Sequence, residues 1–194
     1  MTRLVEDPVL GQRYGFRRGV DEDGGEVLYI DTRVDPGGGV TPHLHPTVEE
    51  RFKVLAGHPS FLAGREWRQT GPGDTVVVPA GVRHAYRNTG DEVAHLVCEC
   101  RPPSTLHEFL EQVGALAREG KFTRRGLPKS PSGALDAIAL TNRHRETVVL
   151  LFPPMPPRIV QRVLFPPLAR LWERRHRRAP GVSGPRGPAS LRDR

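Results

Sequence analysis

Cysteine is nearly missing from this chain of 194 residues. The two present, Cys98 and Cys100, sit two positions apart in "HLVCECRPP". On a strand such neighbours share one face, where a bridge between them is strained. No disulfide framework is therefore expected, and the pair reads as reduced, core-like side chains. Long hydrophobic runs are also missing. The longest, "VVLLFPPMPP", reaches about half of the roughly 20 residues a bilayer-crossing helix needs. The opening "MTRLVEDPVLGQR" lacks the apolar stretch of a secretory signal, so a soluble, cytoplasmic protein is expected. No nucleotide loop, phosphate cradle, catalytic serine constellation or internal repeat can be read along the chain. Excess charge is missing from most of it as well. The net charge is +7, yet residues 158–194 hold ten arginines against Glu173 and Asp193, giving +8 there and leaving −1 for the first 157 residues. The main domain has no electrostatic reason to seek nucleic acid.

What is present is punctuation. Twenty prolines and 21 glycines favour many turns and a β architecture over a helical bundle. From residue 9 to residue 101 short strand-like runs alternate with turn signals. "QRYGFRRG" and "EVLYIDTRV" flank a hairpin turn, and "ERFKVLAG", "SFLAGREW", "DTVVVPAG", "RHAYRN" and "EVAHLVCEC" follow. Such spacing predicts a sandwich or barrel.

After "RPPS" the period changes. In "TLHEFLEQVGALAREG" Leu106, Phe109, Leu110, Val113 and Leu116 recur at helical spacing, Thr105 and Glu108 fit a capping box, and Gly120 is a stop. "SGALDAIALTNRHR" predicts a second helix. "RIVQRVLFPPLARLWERRHRR" predicts a third, broken near Pro166 and Pro167, with Leu164, Leu168, Leu171 and Trp172 as its apolar stripe. The expected domains are a barrel over 1–103, a helical extension over 104–178 and a disordered basic tail over 179–194.

The chemistry gathers in "PHLHPTVEE". On a strand His43 and His45 project from one face, about 6–7 Å apart, and two imidazoles so placed can converge on one ion. Glu50 opens the next strand-like run and can fold back across a short turn. His84 begins a later strand after the "PAG" turn. Three neutral imidazoles and a carboxylate form a mixed nitrogen–oxygen set for a divalent first-row metal, with room for water or substrate. Spacing does not separate iron, manganese, nickel, copper and zinc. Tyr86 and Asn88 share the face of His84 by alternation, so the Tyr86 hydroxyl is a tentative substrate-facing group. Glu49 reads as a solvated carboxylate or one that orients a histidine. His58, His95, His107, His144 and His176 lack such company and read as surface or packing residues.

These spacings resemble the two motifs of the cupin superfamily. "GGGVTPHLHPTVEERFKVLAG" supplies Gly37, His43, His45, Glu50 and Gly57 for the first motif. "GDTVVVPAGVRHAYRN" supplies Gly73, Pro79, Gly81, His84 and Asn88 for the second. The resemblance covers about residues 9 to 103. It implies a small antiparallel β-barrel of the jelly-roll kind, with the three histidines and Glu50 as metal ligands at its centre.

Under that resemblance a metal-dependent enzyme acting on a small organic substrate is expected, a dioxygenase or related oxidoreductase first, with isomerase or decarboxylase chemistry open. The metal would be Fe, Mn, Ni or Zn. The alternative is a non-catalytic ligand-binding or regulatory module, which the lack of a helix-turn-helix pattern disfavours. A homodimer is the expected assembly. No specific nucleic acid is expected, and the basic C-terminus offers a minor route to anionic membrane.

Overall fold

Strict alternation builds the central strand of the molecule. In Ala94–Arg101 every second residue (Ala94, Leu96, Cys98 and Cys100) is buried, while the intervening ones are half-exposed. The computed structural model describes residues 4–124, 126–151 and 155–176. In chain order the strands are β1 (Val5–Asp7), β2 (Gln12–Val20), β3 (Glu26–Val34), β4 (Gly39–Leu44), β5 (Glu49–Ala56), β6 (Ser60–Ala63), β7 (Glu66–Gln69), β8 (Thr75–Val78), β9 (His84–Arg87) and β10 (Ala94–Arg101). Helices α1 (Leu106–Arg118) and α2 (Pro131–Arg143), strand β11 (Val149–Leu150) and helix α3 (Arg158–His176) follow.

Two antiparallel sheets form, ordered β1-β2-β3-β10-β5-β8 and β11-β4-β9-β6-β7. Their inner faces enclose a core that includes Leu28, Ile30, Phe52, Val54, Phe61, Val78, Tyr86 and Leu96. This is the expected mainly-β jelly roll with a helical extension. The extension is stitched into it, because β11 pairs with β4 (Val149 with Leu44, Leu150 with His43). The Leu151 amide also donates to the Pro42 carbonyl at 3.0 Å.

Three local expectations are corrected. Thr105 precedes α1, but its side chain makes no capping bond. Its hydroxyl instead meets the Thr147 hydroxyl at 2.8 Å, so tertiary contact outcompetes the capping box. Helix α3 runs through Pro166 and Pro167 without a break. Proline rings fit helical φ, and what they remove is the amide donors that would reach the Arg162 and Val163 carbonyls. Phe165 and Ala169, buried on one face at 6% and 1% exposure, hold the helix on both sides of that gap. That same face is the third correction. Leu164, Leu168 and Leu171 remain exposed, while Gln161, Phe165 and Ala169 pack inward and Trp172 donates to Asp136 at 2.9 Å.

Helix α1 stops at Gly120 as expected, with φ of 71°. The expected tail over 179–194 lies outside the described residues. Among the described residues no helix is long and apolar enough to cross a membrane.

Candidate metal centre

Three strands and one turn bring the predicted donors together. His43, next to last in β4, lies directly across from His84, the first residue of β9. Between Val40 and His43 the register shifts, a bulge that re-aims the end of the strand. His45 lies one residue past β4, so it is placed by its surroundings more than by strand alternation. The Gly81 amide donates to the His45 carbonyl at 2.7 Å. That approach uses a left-handed turn (φ 78° at Gly81), which suits glycine. Gly57 closes the β5 end, where an added Cβ would stand 2.8 Å from Ala94 Cα. Asn88 holds the far end of β9, donating to the Val34 and Glu92 carbonyls.

His43, His45, Glu50 and His84 each present a donor atom, all within 4.8 Å of one another. A ligand shell built on metal–nitrogen bonds of ~2.1 Å is about 4 Å across, so small adjustments suffice for one ion. His45 and His84 are each 2% exposed and Glu50 4%. Every imidazole is held from behind by a backbone carbonyl: His43 Nδ1 by Thr41 at 2.9 Å, His84 Nδ1 by Val82 at 3.0 Å and His45 Nδ1 by Thr147 at 2.6 Å. A carbonyl only accepts, so in each ring Nδ1 carries the proton and the Nε2 lone pair faces inward.

The inward atoms are poorly served by protein partners. His84 Nε2 stands 2.7 Å and His45 Nε2 3.4 Å from Glu50 Oε2. Yet none of these three buried atoms makes an aligned hydrogen bond. Buried polar groups are ordinarily satisfied, and a shared cation satisfies all three at once. The residues fit a metal.

Charge follows the same pattern. Burial alone would raise the Glu50 carboxyl, but the facing imidazoles of His45, His84 and His43 bring it down to about 2. Burial depresses His84, yet the Glu50 carboxylate outweighs it and raises that ring above its ordinary value. Burial, with His84 and His45 nearby, holds His43 well below, keeping it neutral and ready to ligate.

Three neighbours of the centre carried no sequence signal for this role. On the other side of Glu50, Cys98 Sγ lies 3.6 Å and Cys100 Sγ 3.9 Å from Oε1, so the thiols orient the carboxylate. Both are free, and burial raises the Cys98 thiol well above the usual range. Thr147, whose carbonyl positions His45, sits 102 residues away in the extension. Behind it a polar relay runs through Thr105 to His144 and on to Gln112 Nε2, 3.2 Å from His144 Nε2.

The remaining predicted residues are placed as follows. Tyr86 is buried between Phe52 and Phe61, and its hydroxyl donates to Gln12 Oε1 at 2.7 Å. Glu49 turns outward to Arg51 at 2.8 Å. His95 pairs with Asp31 at 3.0 Å on the outside of the barrel.

His43 also forms part of the wall of a cavity of about 480 Å3 between the barrel and the extension. Val40, Thr41 and Tyr86 line its barrel side, and Phe109, Leu110 and Leu140 its helical side.

Residues 31–99 match the family model described as the cupin domain. The barrel is a cupin. Over 99 residues the chain is 37% identical to germin-like protein 5-1 of Oryza sativa subsp. japonica, an alignment covering 44% of this chain and 42% of that protein. Over 91 residues it is 33% identical to Protein SchB of Streptomyces halstedii, covering 45% of this chain and 66% of that protein. The chain thus spans 42% and 66% of the curated relatives it matches. Among solved structures, an RmlC-like cupin from Shewanella frigidimarina aligns with a TM-score of 0.48 at 18% identity, over 55% of this chain and 89% of that one. The cupin match ends before the extension, which therefore lies beyond the family model.

Proposed function

We propose that this cupin is a metal-dependent enzyme acting on a small organic molecule, an oxidoreductase of the dioxygenase type. The observation that carries the reading is the set of inward-facing, hydrogen-bond-starved donors on His45, His84 and Glu50, completed by His43 at the cavity wall. Three imidazoles and one carboxylate suit Fe, Mn, Ni or Zn. A bound redox-capable ion would supply Lewis acidity and electron transfer to a ligand in its open positions.

The chain's own residues do the rest. The Thr41, Val82 and Thr147 carbonyls fix the three imidazole tautomers. Cys98 and Cys100 hold one oxygen of Glu50 so that the other faces the histidines. Three donors are sealed inside the barrel, so access runs past His43. Tyr86 walls that path, its hydroxyl already donating a hydrogen bond to Gln12.

The test is elemental analysis of the purified protein beside its His45→Ala variant, with oxygen uptake screened aerobically and anaerobically. Near-stoichiometric metal in the wild type, lost in the variant, is the expected result. Retention of stoichiometric metal by His45→Ala would overturn the assignment.

A further inference from the structure

The cavity behind His43 is built for a particular kind of molecule. At about 480 Å3 it falls within the range of pockets that take drug-sized ligands. Its walls are dominated by apolar side chains: Phe109, Leu110 and Val113 from α1, Leu140 from α2, and Val40 from β4. Charge is confined to a few places. Asp7 is a buried carboxyl on its lining, taken up by the Val9 and Leu10 amides and with its pKa raised by burial. Arg87 and Arg124 are exposed arginines there, Arg87 stacking on the Trp67 ring at 4.2 Å. His43 connects the chamber to the donor set.

Each feature selects. A small, doubly charged acid placed here would lose its water along apolar walls that return no hydrogen bonds, which is costly. An apolar body gains by the same transfer, at about 25 cal/mol per Å2 buried. The cationic arginines favour an anionic ligand on approach.

Resting on the metal-centre reading above, we infer that the substrate is a mainly apolar molecule with one anionic oxygen, a carboxylate or phenolate on a ring system or acyl chain. Its oxygen points to the His43 end and its body lies against α1 and α2. On this inference the extension, which the cupin match does not reach, selects the substrate.

The experiment uses the full chain, with and without added metal, and follows calorimetric heat. Naphthoate stands for a ring, decanoate for a chain and oxalate for a small diacid. Leu110→Trp and Val113→Phe fill the chamber from half-buried positions on α1. At least one apolar probe should bind about tenfold or more tighter than oxalate. That advantage should fall about tenfold or more in the filled variants, with metal content and circular dichroism unchanged.

A naphthoate preference identifies the body as a ring and a decanoate preference as a chain. Equal or tighter oxalate binding overturns the inference, as do filled variants that bind like the wild type. Apolar binding by a wild type that takes up no metal sinks the metal centre and leaves the chamber standing. Full metal occupancy without apolar binding does the reverse.

Discussion

The barrel and the helical extension divide one site between them. The barrel supplies every donor atom, from β4, the turn after it, β5 and β9. The extension supplies what surrounds those donors: the Thr147 carbonyl behind His45, the β11 ladder along β4, and the apolar wall facing His43. Ligand chemistry here is set by a few short stretches, while ligand orientation and access are set by residues up to 102 positions away. A site can thus have a recognisable centre and an unrecognisable environment.

The largest effect falls on the barrel half. Glu50→Gln should abolish stoichiometric metal binding, read by elemental analysis. It should also change acid stability in metal-free protein. The Glu50 carboxyl is held at about 2 against an ordinary 4.5, so its contribution is present above about 4.5 and is lost as pH falls toward 2. Acid-unfolding curves of the wild type should show that loss and those of the variant should not. His84, raised by Glu50, contributes with the opposite sign, present at low pH and lost as pH rises through its folded value, and it too should revert.

Next comes the joint between the halves. Leu151→Pro removes the amide that donates to the Pro42 carbonyl and loosens β11 against β4. Metal affinity should drop about 10–100-fold by competition with a chelator, the usual consequence of disturbing a ligand's partner. Unchanged affinity in a folded variant would break the comparison, because the barrel alone would then suffice.

Smaller is Cys98→Val, which keeps an apolar core residue and deletes the thiol donor facing Glu50. A loss of about tenfold in metal affinity is expected, with little change in melting temperature. The smallest effect belongs to the extension alone. Pro167→Ala restores an amide inside α3 at an exposed position and should stabilise by about 1 kcal/mol in denaturant titration without altering metal content.

The same division explains what the sequence made legible. Strand alternation and motif glycines exposed the barrel, and the spacing of His43, His45, Glu50 and His84 exposed the donors, because both follow from local geometry. The capping box at Thr105 failed since Thr147 competes for its hydroxyl. The break expected at Pro166 failed because buried neighbours at Phe165 and Ala169 keep the helix in place. His144 looked solitary, yet it is 4% exposed and wired toward the centre through Thr105. No local pattern announces a backbone carbonyl as the partner of a histidine, so Thr147 was invisible until the fold was in hand.

The span between His45 and Thr147 also sets a timetable. A growing polypeptide leaves the ribosome from its amino end, and all ten barrel strands emerge before Thr147 does. A nascent barrel therefore holds a His45 imidazole that has not yet met its carbonyl, and the donor set is held from behind on every side only once Thr147 has emerged.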